Sequence, residues 1–569
     1  MNQSAPEKGH PKGLYVLFAT EMWERFNYYG MRAILILFMT KALLFDHAFA
    51  SNLYGSYTGL VYLTPLLGGY IADRFWGNHR SIIAGGIVMA IGEFILFFCG
   101  SFYHSVPQLS SLLFFSGLGF MIAGNGFFKP NISSMVGQLY PKGDRRIDAA
   151  YTIFYMGINV GGAVGPFICG LVGDTGNPAD FKWAFLAGGI GMLISVVVQQ
   201  MYHHKYVVDP DNNVLGLTPV TSSKKWTNPA SMVIGLICLG MIMIGLLYVD
   251  AKLFGYLTYL LIACPVFIAF IIFTDKTLSA LDKKKVAVIF IVSFFVVFFW
   301  SAFEQAGASL TYFADEQTQR QVGLIIPSWL IYLLSIVLLW YIYSLYKKIL
   351  KSLASDFDKE LRYAVYFLLA IFFVAVVCGD SYLLLNNKSS IVFSEVPASW
   401  FQSLNSVFVI AFAPFFAWLW IKLGKYEPSS PFKMALGLLL LALGYLWIAF
   451  GVKGVEPGVK VSMVWLTGMY ALHTCGELSL SPIGLSLVNK LAPFKFASLL
   501  MAVWFLANAA ANKLAGVLSS LYPENGKTTS FLSYHMSDKY DFFMLFVFMA
   551  GIASLILFLL SGKLKKMMV

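Results

Sequence analysis

The sequence predicts an all-α polytopic membrane protein with about sixteen spans, and three observations carry that prediction. Of 569 residues, 58% are hydrophobic and 12% charged, about half the charged share of an ordinary soluble domain. The apolar residues come in runs of about 20 or more, the length that crosses ~30 Å of hydrocarbon. Basic residues gather in the short loops between those runs. A β-barrel would need period-two alternation, which the runs lack.

Six runs come first, at 14–44, 51–75, 81–102, 108–138, 147–173 and 181–202. The polar stretch 203–229, with "DPDNN" and "TSSKKWTNP", ends them. Two further runs, 231–249 and 254–274, are closed by "DKTLSALDKKK" at 275–285, so they read as a connecting insert. The remainder are 286–314, 322–346, 362–384, 397–423, 431–452, 461–489, 495–520 and 540–562. The pair around the charged hairpin "YKKILKSLASDFDKELR" carries almost no charge within its helices and reads as a lipid-facing addition.

The net charge of +11 does not imply a nucleic-acid partner, because of where the charge sits. "DRFWGNHR", "PKGDRR", "LDKKK", "NKLAPFK" and the final "GKLKK" all fall on one side if the amino terminus is cytoplasmic. That is the positive-inside pattern, and it places both termini in the cytoplasm. The first apolar segment is too long and too charged for a cleavable signal peptide. The six cysteines lie singly in apolar runs, with no metal spacing and no CxxC. HExxH, a P-loop and GxSxG are absent as well, which argues against an enzyme or a cofactor.

The informative residues are polar ones inside apolar runs. The stretch "EMWERFNYYG" and its continuation place Glu21, Glu24, Arg25 and Arg32 in the first span. On a helix of about 100° per residue, these four charges and the tyrosines Tyr28 and Tyr29 share an arc of about 140°. Gly30 falls opposite, where close packing suits it. A charge at mid-bilayer costs about 2.5–3.5 kcal/mol, so a balanced stripe belongs against a bundle interior or a water-filled cavity. A salt-bridge lock between helices is the competing account.

Lys129 lies in "AGNGFFKPNISS", inside a span and before Pro130; snorkelling to the interface is its alternative reading. Asn159 follows Tyr155 by one turn in "YTIFYMGINVGG", with small residues that permit close helix contact, and an interhelical hydrogen bond would also explain it. In the second half, Glu304 interrupts "FFWSAFEQAGASLTYF" one turn after Trp300. "SWFQSLNSVFVI" brings Gln402 and Asn405, and "MAVWFLANAA" brings Trp504 and Asn508. Glu477 is buried in "YALHTCGELSLSPIGLS", with Ser481–Pro482 expected to break the helix just beyond. A buried acid without a base on its own helix needs a partner elsewhere or a proton. His473 reads as a core histidine.

These motifs resemble the proton-dependent oligopeptide transporters of the major facilitator superfamily. "EMWERFNYYG" is similar to the family's first-helix signature, and "FYMGINVGG" to its fifth-helix signature. "GGYIADRFWGNHRS", "GNGFFKPNISS", "FEQAGASL", "WFQSLNS" and "HTCGELSLSPIGLSLVNKLAP" follow in the family's order, so the resemblance spans nearly the whole chain.

The resemblance implies two six-helix bundles, at 1–205 and 286–569, joined by a two-helix linker over 206–285. The pair at about 322–384 would be inserted into the second bundle. It implies proton-coupled import of di- and tripeptides by alternating access, through a protein functional as a monomer in the cytoplasmic (inner) membrane. Tyr28, Tyr29, Arg32, Tyr62, Lys129 and Asn159 would line one side of a peptide site, with Arg32 and Lys129 toward the peptide carboxylate. Asn405, Glu477 and Trp504 would line the other side with Glu304, and Glu477 would hold the amino terminus. Glu21, Glu24, Arg25, Lys129 and Glu304 would couple protons. Another small cargo, such as nitrate or a peptide-like metabolite, or a non-transporting sensor, are the competing readings. The chain departs from the family at Gly55, where mammalian members carry a histidine, so protonation would rest on carboxylates.

Overall fold

A computed structural model describes residues 9–569 apart from 142, 145, 220–227, 254, most of 354–388, 457, 525, 526 and 569. The chain forms two compact units, one of Met1–Gln319 with Pro397–Val569, the other of Arg320–Val396.

In the larger unit, α1 (Lys12–Leu37), α2 (His47–Ile71), α3 (Asn78–Phe102), α4 (Pro107–Val136), α5 (Ile147–Gly173) and α6 (Phe181–Tyr206) make the first bundle. There α1 lies along α5 and α6, and α3 along α4 and α6. Next come α7 (Pro229–Leu253) and α8 (Tyr256–Thr274), then α9 (Ala280–Phe303) and the short α10 (Ser309–Glu316). After α11 (Ser328–Leu353) of the smaller unit, the larger unit continues with α12 (Phe401–Leu423), α13 (Ser430–Val452), α14 (Met463–Leu491), α15 (Ala497–Ser519) and α16 (Lys539–Met568). In this second bundle α13 packs on α14 and α16, and α9 on α15 and α16.

Eleven helices among the described residues are long and apolar enough to cross a membrane. Helices α1, α2 and α14 fall short by composition: α1 carries its charges, and the others are rich in small and hydroxyl residues. Two of the starts are set locally by side-chain caps. Asp46 accepts from the Phe49 N–H at 2.8 Å ahead of α2, and Ser279 accepts from the Asp282 N–H at 3.0 Å ahead of α9.

Two seams join the bundles, α2 along α15 and α5 along α12. At the first, a Cβ on Gly55 would stand 2.7 Å from the Gly516 Cα, and the Ser51 and Ser519 hydroxyls meet at 3.1 Å. At the second, Asp174 accepts from the Ser399 N–H and hydroxyl, each at 3.1 Å, and the Trp400 indole donates to the Phe167 carbonyl at 2.9 Å. These contacts gather at helix ends remote from the amino-terminal end of α1. A histidine at position 55 would collide with the Gly516 backbone. Gly55→His is therefore expected to cost about 1–3 kcal/mol through overpacking and to lower the Tm measured in detergent. An unchanged Tm would mean that the seam yields to admit the ring.

Three expectations are corrected. The run 286–314 is not one helix: α9 ends at Phe303, a 3-10 turn spans Glu304–Gly307, and α10 starts at Ser309. The Tyr54 hydroxyl occupies the place of a Gly307 Cβ, so that turn is wedged against α2. Ser481–Pro482 does not break α14, which runs through Pro482 to Leu491. A proline removes one ladder bond, and packing against α12, α13 and α15 keeps the helix continuous.

The third correction concerns 322–384, which is not simply a helix pair. Gln321–Pro327 forms a strand antiparallel to Ser390–Glu395 before α11 begins, and pairs such as Ile325 with Val392 place β-branched residues opposite each other. Arg320 closes the ribbon's end on Glu395 at 3.0 Å. The second expected helix, 362–384, lies mostly outside the described residues.

Candidate functional site

The first cluster rises from α1. Arg25 Nε reaches Glu21 Oε1 at 2.9 Å and Glu24 Oε2 at 2.6 Å, and all three residues are at most 3% exposed. The acid four residues ahead of the base is the favourable order on a helix. Asn125 of α4 donates to Glu24 Oε1 at 3.1 Å. The α5 backbone presses on this stripe, since a Cβ at Gly161 would lie 2.2 Å from the Met22 carbonyl oxygen and 2.8 Å from the Arg25 Cβ. Gly30 continues the same α5-facing side of α1 and meets α5 at Gly165 and Cys169. Glu21 Oε2, Arg25 Nη2 and the Tyr28 hydroxyl have no hydrogen-bond partner among the described residues.

Lys129 does not complete this cluster as an ion-pair partner. Its ammonium lies 4.3 Å from the centre of the Tyr62 ring, a cation–π contact, and no ion pair to it occurs among the described residues. Charges on Arg25, Glu24 and Glu21 remain within its electrostatic reach. Glu304 also stands apart from the cluster, because it pairs with Arg32 across the bundles, while Arg32 Nε donates to the Tyr54 hydroxyl at 2.6 Å. Arg32 and Glu304 are both buried.

Between the bundles lies a small cavity of about 80 Å³, lined by residues of both bundles. Tyr29, Arg32 and Tyr62 line it from the first bundle, with Gly162 and Pro166 of α5. Trp300, Phe303 and Glu304 line it from the end of α9, Gln402, Asn405 and Ser406 from α12, and Tyr470 and Glu477 from α14. Asn405 Nδ2 donates to Glu477 Oε2 at 2.8 Å and approaches Thr474 Oγ1 at 3.2 Å. Glu477 thus has the Asn405 amide as a partner and no cation among the described residues, whereas the cation of Arg32 is taken by Glu304. The cavity holds one base and two acids, so it carries an unmatched carboxylate.

The structure therefore brings Tyr29, Arg32, Tyr62, Glu304, Asn405 and Glu477 to one cavity. It does not bring Tyr28, Asn159, Trp504 or Lys129 to the lining. Tyr28 is 2% exposed and lies under Arg25. Asn159 donates to Tyr155 of its own helix at 2.9 Å, not to another helix. Trp504 packs over Gly484, where a Cβ would meet its ring at 2.2 Å. Trp300 and Gln402 were visible as polar or aromatic interruptions of apolar runs, but nothing in the sequence tied them to the site. Tyr470 and Ser406 gave no signal, since a lone tyrosine or serine in a span is ordinary.

A family model described as "PTR2: POT family" matches residues 79–378 and 361–534. An uncharacterized transporter, YclF, from Bacillus subtilis (strain 168) is 32% identical over 541 residues, covering 93% of this chain and 92% of that protein. A di-/tripeptide transporter from Lactococcus lactis subsp. cremoris is 29% identical over 532 residues, 90% of each. Among solved structures, a mutant peptide transporter POT in complex with alafosfalin superposes with a TM-score of 0.73 at 28% identity, over 99% of this chain and 97% of that one.

Proposed function

Because the chain belongs to the POT family, we propose that it imports di- and tripeptides together with protons across the cytoplasmic (inner) membrane. One observation carries the cargo assignment: the unmatched carboxylate of Glu477 faces a cavity whose one cation, Arg32, is already paired. A peptide zwitterion fits this arrangement. Its ammonium supplies the charge that Glu477 lacks, and its carboxylate competes with Glu304 for Arg32. Tyr29, Tyr62, Asn405 and the aromatic wall at Trp300 would position the chain between those ends.

On this reading the fold is of the major facilitator type, with about sixteen spans, both termini cytoplasmic and a functional monomer. Proton coupling falls to Glu21, Glu24 and Arg25, with Lys129 and the Arg32–Glu304 pair responding to them. Protonating Glu24 releases Arg25, and the bundles rock about the cavity. The seams at Gly55–Gly516 and Asp174–Ser399 are then the closed outer gate.

A competition panel in proteoliposomes tests the cargo. Dialanine and trialanine are expected to block labelled dialanine uptake, while N-acetyl-dialanine, which lacks the ammonium, is expected to compete about 30-fold less well or worse. Equal competition by the acetylated peptide would refute the Glu477 assignment.

A further inference from the structure

We propose that the linker hairpin takes part in the transport cycle through Asp250, a positioning residue that latches the α2–α15 seam shut. The proposal rests on the transport reading for its cycle, but the seam contact itself is structural. Lys513 lies within the last two turns of α15 in "ANKLAG", with no acid on its own helix. Its side chain is 5% exposed, and its ammonium donates to Asp250 Oδ2 at 2.6 Å and to Ser56 Oγ at 2.7 Å. The Ser56 hydroxyl also donates to Asp250, and the Leu257 N–H donates to Asp250 Oδ1 at 3.2 Å.

This knot joins three bodies: α2 of the first bundle, α15 of the second, and the linker hairpin through Asp250 on α7 and Leu257 on α8. The hairpin straddles the seam. Helix α7 packs on α4 and α2, where a Cβ on Gly119 would meet Ile244 at 2.4 Å, and α8 packs on α15. Opening the seam carries Ser56 away from Lys513 and stretches the Lys513–Asp250 pair, because Asp250 stays with the first bundle on α7. Parting a buried pair strands both charges, so the pair resists opening far more than a surface contact would. Next to it, Gly55 meets Gly516 and Ser51 meets Ser519, so the latch and the closest approach of the bundles coincide.

The test is oxidative cross-linking of a Ser51→Cys/Ser519→Cys pair in the full-length protein in proteoliposomes, read as a gel mobility shift, beside uptake kinetics. Asp250→Asn and Lys513→Gln are each expected to lower the cross-linking yield about tenfold, and to change the Vmax of dipeptide uptake by a similar factor, with KM moving less than about twofold. The charge swap Asp250→Lys/Lys513→Asp is expected to restore both. Asp275→Asn, which breaks the hairpin's exposed 2.6 Å contact with Lys495, is expected to leave both at wild-type values.

Cross-linking within about twofold of wild type in the single variants would overturn the proposal, since a seam coupling of ordinary size exceeds that factor. If the single variants do not fold, the swap decides. A folded swap protein with wild-type cross-linking supports the latch, and a folded one without it, or a swap that cannot fold, refutes it. Cross-linking needs no substrate, so its outcome stands apart from whether peptides are the cargo.

Discussion

Proteoliposomes carrying Glu24→Gln are expected to lose proton-driven accumulation of dialanine by about 5–150-fold, the range of ordinary coupling free energies of about 1–3 kcal/mol. Counterflow exchange, which needs no net proton movement, is expected to persist. The reason lies in the geometry around Glu24. Its carboxylate is fully buried, and Arg25 holds both Glu24 and Glu21. The glutamine keeps an amide oxygen for the Asn125 hydrogen bond but can neither bind a proton nor hold Arg25 by charge. Arg25 then stays with Glu21 whatever the pH, and the switch has lost its input. Full proton-driven uptake by the variant would move the coupling site elsewhere, with Glu21 the next residue to replace.

The second large effect is expected at Glu477. Glu477→Gln preserves an oxygen for the Asn405 donor, so the helix packing at α12 and α14 is kept. It removes the unmatched charge of the cavity. Truncating one side of a desolvated charge pair costs about 2–5 kcal/mol, so dipeptide affinity is expected to fall about 30-fold or more. Isothermal titration of the purified variant reads this directly, and the loss is expected to be far smaller for a ligand without an ammonium group. A Kd for dialanine within about threefold of wild type would show that another group holds the amino terminus, because that is less than 1 kcal/mol.

The cavity was only half legible in the chain. Glu304 and Glu477 stood out because a carboxylate in an apolar run is costly wherever it occurs, and the α1 stripe stood out because four charges fall on one face of a helix. Asn159 and Trp504 carried the same kind of signal, yet the structure turns Asn159 back onto its own helix and packs Trp504 over Gly484. A polar or aromatic residue in a span shows that some partner exists, not which. Tyr470 and Ser406 reach the lining with no distinguishing signal, because their role depends on where α14 and α12 face. The pairing of Asp250 with Lys513 is illegible in the chain for the same reason: it closes a loop hundreds of residues long, and only the docked linker hairpin shows that they meet.

By itself the sequence determined that this is a helical, multi-pass membrane protein with charged groups turned inward. Those properties follow from transfer free energies that are local to each helix and visible as runs and faces. What it could not decide was how the charges pair. Arg32 meets Glu304 from 272 residues away, Lys129 turns to an aromatic ring, and Glu477 is left with the Asn405 amide. The break at Glu304–Gly307 and the ribbon of Gln321–Pro327 with Ser390–Glu395 are likewise outcomes of packing and strand pairing. Pairing energies depend on distance and burial in three dimensions, and those belong to the folded bundle alone.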